Sequence, residues 1–176
     1  MTPRSDGPAT PFLGTISLAN EGATADLGRS LSEIIADGDV LLLSGDLGAG
    51  KTALARGLIR SLTAPDTEVP SPTFTLVQDY DTRIGPVHHF DLYRIESEDE
   101  IPELGFEDAL ADGVCLIEWP DRLGAWLPPG ALRIELAIAG EEGRLATIGA
   151  SSGNWRQRLA SHLLWDTLTT QTDERD

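Results

Sequence analysis

Apolar positions recur along this chain at two different periods, and each change of period marks an element. From Leu13 to Ala19 apolar residues alternate with small or polar ones, which predicts a strand. Asn20 is a capping residue, and Leu27, Leu31, Ile34 and Ile35 then recur on one helical face until Gly38 stops the helix. Val40–Leu43 is apolar without interruption, the mark of a short strand buried on both faces. Glycine-rich Gly45–Gly50 leads into a second helix with Leu54, Leu58 and Leu62 on one stripe. Past Pro70, Phe74–Tyr80 and Val87–Tyr93 read as strands around a turn at Asp81–Gly85, and residues 94–112 as short acidic helices. Val114–Ile117 is a further short buried strand. Leu132–Ala139 and Arg144–Ala150 read as a late hairpin across Gly140-Glu-Glu-Gly143. A last helix, Asn154 to Leu168, is expected to turn Leu159, Leu163 and Leu164 inward.

Helices interleaved with buried strands predict an α/β fold of three layers, with a mixed, mainly parallel sheet and a late hairpin. Residues 12–168 read as a single domain, and 1–11 and 169–176 as flexible tails. The length, 176 residues, suits one core and is too short for two full catalytic domains.

Charge narrows the function. Thirteen basic against 29 acidic residues give a net −16, a surface that repels nucleic-acid phosphate, so a stand-alone DNA or RNA binder is not expected. Residues 91–112 hold nine of the acids and one base, Arg94. That segment is either a solvated acidic surface or a docking face for a basic partner. A single cysteine, Cys115, excludes an internal disulfide, and no apolar run approaches the roughly 20 residues of a membrane span. With no secretory pattern at Met1–Pro8, a cytoplasmic location is expected. Twelve of the 13 basic residues are arginine, and the sole lysine is Lys51.

That lysine falls in Gly45-Asp46-Leu47-Gly48-Ala49-Gly50-Lys51-Thr52, which matches the phosphate-binding pattern G-x-x-x-x-G-K-[ST] between a buried strand and an amphipathic helix. Glycines let successive backbone N–H groups turn toward phosphate oxygens, and the helix N-terminus adds its positive dipole end. Lys51 supplies a mobile charge to the β- and γ-phosphates, and the Thr52 hydroxyl is a Mg²⁺ ligand. Guanine readers use Asn-Lys-x-Asp, which needs a second lysine; its absence favours ATP. Such a site requires a carboxylate at a neighbouring strand end. Glu118 directly follows Val-Cys-Leu-Ile, and Asp91 closes another strand in His89-Phe-Asp-Leu-Tyr-Arg94. Ser71-Pro-Thr-Phe74 lies where P-loop hydrolases carry a switch, with Thr73 as its γ-phosphate sensor.

The P-loop, Ser71-Pro-Thr-Phe-Thr-Leu-Val77, His89-Phe-Asp-Leu-Tyr-Arg94 and Leu116-Ile-Glu-Trp-Pro120, in that order and spacing, resemble the TsaE (YjeE) family of ATPases of bacterial tRNA threonylcarbamoyladenosine modification. The resemblance covers about residues 13–150. It implies ATP on residues 45–52, Mg²⁺ on Thr52 and Glu118, Asp91 supporting the metal or the hydrolytic water, and Thr73 in the switch. It also brings Glu21 and Arg144 toward the nucleotide. Lys51, Asp91, Glu118 and Thr73 would then carry catalysis. The implied partners are TsaD and TsaB homologues, a complex that ATP hydrolysis would reset, with tRNA reached only through it. A small-molecule P-loop kinase and a nucleotide-dependent binding switch are the alternatives. The kinase usually needs an arginine-bearing lid, and every stretch after Glu118 reads as strand or terminal helix.

Other residues read as structural. His88 and His89 are tandem on a strand and face opposite sides as satisfied histidines; Cys115, Trp126, Trp155 and Trp165 read as packing residues. Trp119, beside Glu118, is the tryptophan placed to report nucleotide binding.

Overall fold

The computed structural model describes residues 10–168. Strand β1 (Phe12–Leu18) is followed by helix α1 (Glu21–Leu31), whose first turn is capped by the Asn20 side chain accepting from the Ala23 N–H at 2.9 Å. Strand β2 (Val40–Ser44) runs into helix α2 (Lys51–Leu62). Strands β3 (Val77–Thr82) and β4 (Gly85–Asp91) form a hairpin. A 3₁₀ segment, Glu98–Leu104, and the short helix α3 (Phe106–Ala111) lead to β5 (Val114–Glu118). A second 3₁₀ segment, Pro120–Trp126, precedes the hairpin of β6 (Leu132–Ala139) and β7 (Gly143–Ala150), and the short helices α4 (Gly153–Ala160) and α5 (Leu164–Thr167) follow.

The seven strands form one sheet in the order β1-β7-β6-β2-β5-β4-β3. Strands β6, β2, β5 and β4 pair in parallel, while β7 and β3 run against their neighbours, so five of the seven point one way. The sheet is mixed and mainly parallel, as its sequence pattern predicts. Continuous apolar strands require cover on both faces, and β2 has it. Leu41 and Leu43 pack with α1, α2 and the C-terminal helices, while Val40 and Leu42 pack with α3 and the two 3₁₀ segments. Helices α1 and α2 meet almost backbone to backbone: a Cβ at Gly57 would overlap the Ala25 carbonyl, and one at Gly28 the Leu54 carbonyl.

Four readings are corrected. The first hairpin starts three residues later than its β-propensity suggests, because Leu76 turns with φ 67° and its N–H bonds the Pro72 carbonyl at 2.7 Å. Phe74 is therefore outside the strand and 82% exposed. The chain after Glu118 contains the helical turn Pro120–Trp126, which the apolar pattern does not announce. The terminal helix breaks at Ser161–Leu163, and Leu163 is 80% exposed rather than inward. Pro11, read as tail, is tied in by the Ala150 N–H at 3.0 Å; the rest of the two expected tails, apart from Thr10, lies outside the described residues. Among those residues no helix is long and apolar enough to cross a membrane.

Candidate functional site

The P-loop leaves the C-terminal end of central strand β2, the sheet edge at which parallel α/β folds place their ligands. Gly50 opens α2 at φ 105°, a left-handed conformation that disfavours any Cβ, and no side chain caps this helix start. Its first turn carries no acid, so the dipole end stays positive. From the far hairpin, Arg144 donates through Nε to the Ala49 carbonyl and through Nη2 to the Gly48 carbonyl, both at 3.0 Å. In a trans peptide the N–H opposes the C=O, so the Gly50 N–H points away from Arg144. Arg144 does line the cleft, but its guanidinium is committed to shaping the loop.

Lys51 is nearly buried, at 4% exposure. Its ammonium donates to the carbonyls of Gly45 at 2.6 Å and Asp46 at 2.9 Å and lies 4.2 Å from the centroid of the Trp119 ring. Burial lowers its pKa from the ordinary lysine value, opposed by the charges of Glu118, Asp91 and Asp46. Asp46 thus contributes a main-chain oxygen, and Leu47 stands exposed at the loop tip. Trp119 reaches Lys51 from a left-handed backbone, φ 58° and ψ 52°, and the Tyr93 ring packs against it at 4.9 Å between ring centroids, tilted by 48°.

The parallel register of β4 and β5 places Asp91 beside Glu118. Both carboxylates are buried. Thr52 Oγ1 donates to Glu118 Oε1 at 2.9 Å, and Thr73 Oγ1 donates to Asp91 Oδ2 at 2.8 Å. The Tyr93 N–H holds the other oxygen of Asp91 at 3.0 Å, and Ser71 Oγ bonds Thr73 Oγ1 at 2.8 Å. Lys51, Thr52, Thr73, Asp91 and Glu118 line one cleft of about 310 Å³. Glu21 and Thr24 wall it from α1. Glu21 remains largely exposed, its carboxylate 4.0 Å from Arg56.

One hydroxyl and two carboxylates make an all-oxygen donor set, which suits Mg²⁺: that ion takes one or two carboxylates and completes its shell with water and phosphate oxygens. No group of three or more His, Cys, Asp or Glu side chains able to hold a metal occurs among the described residues.

Sequence reasoning missed Arg56, Tyr93 and His89. Arg56 follows Thr52 by one helical turn and lines the cleft, its Nε donating to the Val69 carbonyl at 3.1 Å. His88 is structural as expected, between Asp79 and the Asp112 carbonyl at 2.7 Å each. His89 is not the satisfied structural residue expected: it is fully buried, contacts Glu118, and leaves Nδ1 without a partner. The signal was available, since His89 precedes Asp91 by two residues and side chains two apart share a strand face.

The family profile described as "Threonylcarbamoyl adenosine biosynthesis protein TsaE" matches residues 18–146. The tRNA threonylcarbamoyladenosine biosynthesis protein TsaE of Rickettsia felis is 41% identical over 135 residues, covering 77% of this chain and 79% of the relative. Its counterpart in Bacillus subtilis is 37% identical over 145 residues, covering 82% and 89%. The crystal structure of YdiB from Bacillus subtilis superposes with a TM-score of 0.71 at 28% identity, over 88% of this chain and 95% of that one. Matched over most of its length in sequence and in fold, this chain belongs to the TsaE family.

Proposed function

We propose that this protein is a Mg²⁺-dependent ATPase that serves tRNA threonylcarbamoyladenosine biosynthesis by resetting a complex of TsaB and TsaD homologues between turnovers. The observation that carries the reading is the convergence of Lys51, Thr52, Thr73, Asp91 and Glu118 on one cleft at the head of α2. Mg²⁺ held by Thr52 and Glu118, with Asp91 in support, would neutralise charge developing on the phosphates. The chain's own work is positional. The P-loop N–H groups and Lys51 hold the phosphates, which first requires the ammonium to leave the Gly45 and Asp46 carbonyls. Asp91 and Thr73 orient groups at the γ-phosphate end.

The isolated protein is a slow enzyme in this reading. Arg56, which lines the cleft, donates through Nε to the Val69 carbonyl, Arg122 is spent on the Ile95 carbonyl, Arg144 on the P-loop, and Arg94 lies over the Phe74 ring. A P-loop hydrolase that receives its arginine from a partner gains about 10³–10⁵ in rate. The decisive experiment measures ATP turnover with and without TsaB and TsaD, with Lys51→Ala as the inactive control and a screen of small-molecule acceptors alongside. Partner-stimulated phosphate release is the expected outcome; phosphoryl transfer to an acceptor would make the protein a kinase instead.

A further inference from the structure

His89 is fully buried on β4, with Nε2 2.8 Å from Glu118 Oε1. The same carboxylate oxygen accepts the Thr52 hydroxyl at 2.9 Å, and the other, Oε2, has no side-chain hydrogen bond among the described residues. Nδ1 of His89 is buried and also lacks a partner. A neutral imidazole carries one proton, and the surroundings decide where. On Nδ1 it would leave a buried N–H unpaired and set the bare Nε2 lone pair against a carboxylate oxygen. On Nε2 it completes a hydrogen bond to Glu118 and leaves only one lone pair unpaired. Hydrogen-bond satisfaction selects the second.

We propose that His89 is a positioning residue for the nucleotide-bound metal: as the Nε2–H tautomer it pins Glu118 through Oε1, in register with Thr52, and leaves Oε2 for Mg²⁺. The proposal rests on the reading of Glu118 as the metal carboxylate. Partners that orient metal ligands commonly change metal affinity by about 10–100-fold when lost. His89→Leu keeps bulk in the buried site but removes the donor. Glutamine can set its amide N–H near the place of Nε2, whereas asparagine reaches only the place of Nδ1.

The first measurement needs no turnover. A long-range ¹H–¹⁵N spectrum of the wild-type protein without nucleotide should show His89 protonated at Nε2 and bare at Nδ1; the reverse tautomer overturns the proposal. The second titrates Mg²⁺ into the ADP-loaded protein by calorimetry. His89→Leu and His89→Asn should weaken Mg²⁺ binding about tenfold or more, with metal-free ADP affinity unchanged, and His89→Gln should restore most of it. Equal losses in the glutamine and asparagine variants, or no loss in asparagine, would overturn it, and that pair decides the matter even if the leucine variant does not fold. Should the wild type fail to hydrolyse ATP at all, the ATPase reading falls, while the tautomer and the Mg²⁺ titration still judge His89.

Discussion

The ammonium of Lys51 has company before any phosphate arrives: two loop carbonyls and the face of Trp119. A ligand that draws it away changes the surroundings of that indole directly. Trp119 fluorescence should therefore respond to ATP with Mg²⁺, and Trp119→Phe should remove the response; if the signal survives the substitution, another of the four tryptophans is its source. The carboxylates divide their labour in a testable way. Glu118→Gln keeps the shape but loses the charge that faces the metal, so turnover should fall by about 10² or more while ATP affinity changes little. Asp91→Asn should show a milder loss. Lost affinity with normal turnover, read by calorimetry beside a phosphate-release assay, would reverse that assignment. These residues were legible because each ends an apolar run or completes a spaced motif. For His89 the sequence offers only a shared strand face with Asp91, two residues on; that its partner is Glu118 depends on the register of β4 with β5, which is a tertiary fact.

Among the elements, α1 and α2 are held by absence of side chains. Gly28 and Gly57 let the two helices close until any Cβ would strike a carbonyl of the other. Gly28→Ala should cost about 2–4 kcal/mol by overpacking, seen as a lower denaturation midpoint in urea with an unchanged slope. A wild-type midpoint would mean that the helices part easily. The same change should displace Glu21 and Thr24, which α1 presents to the cleft. Sequence periodicity located β2, α2, β5 and the late hairpin closely, since each buries a regular face. It misplaced β3, because Leu76 adopts a conformation that a leucine does not advertise. It also ran the terminal helix through Ser161–Leu163, where leucine spacing continues but the backbone does not.

Across the whole molecule charge is less idle than the −16 total suggests. In the acidic stretch, Glu100 accepts from the Glu96 and Ser97 N–H groups, and Glu98 accepts from Ala125 at 2.9 Å, so part of that charge builds the turn against the Pro120–Trp126 segment. The far side of the sheet is tied to the site differently, through Arg144. One side chain joins the edge half of the sheet, β1, β7 and β6, to the Gly48 and Ala49 carbonyls. Amide hydrogens in β7, two strands removed from β2 in the sheet, should then follow the opening of the loop. Hydrogen exchange followed by mass spectrometry should show the 143–150 peptides slowing when ADP fills the cleft, and Arg144→Ala should erase that slowing while leaving exchange in β5 responsive. If β7 exchanges at one rate with and without nucleotide, the loop and the hairpin keep separate time.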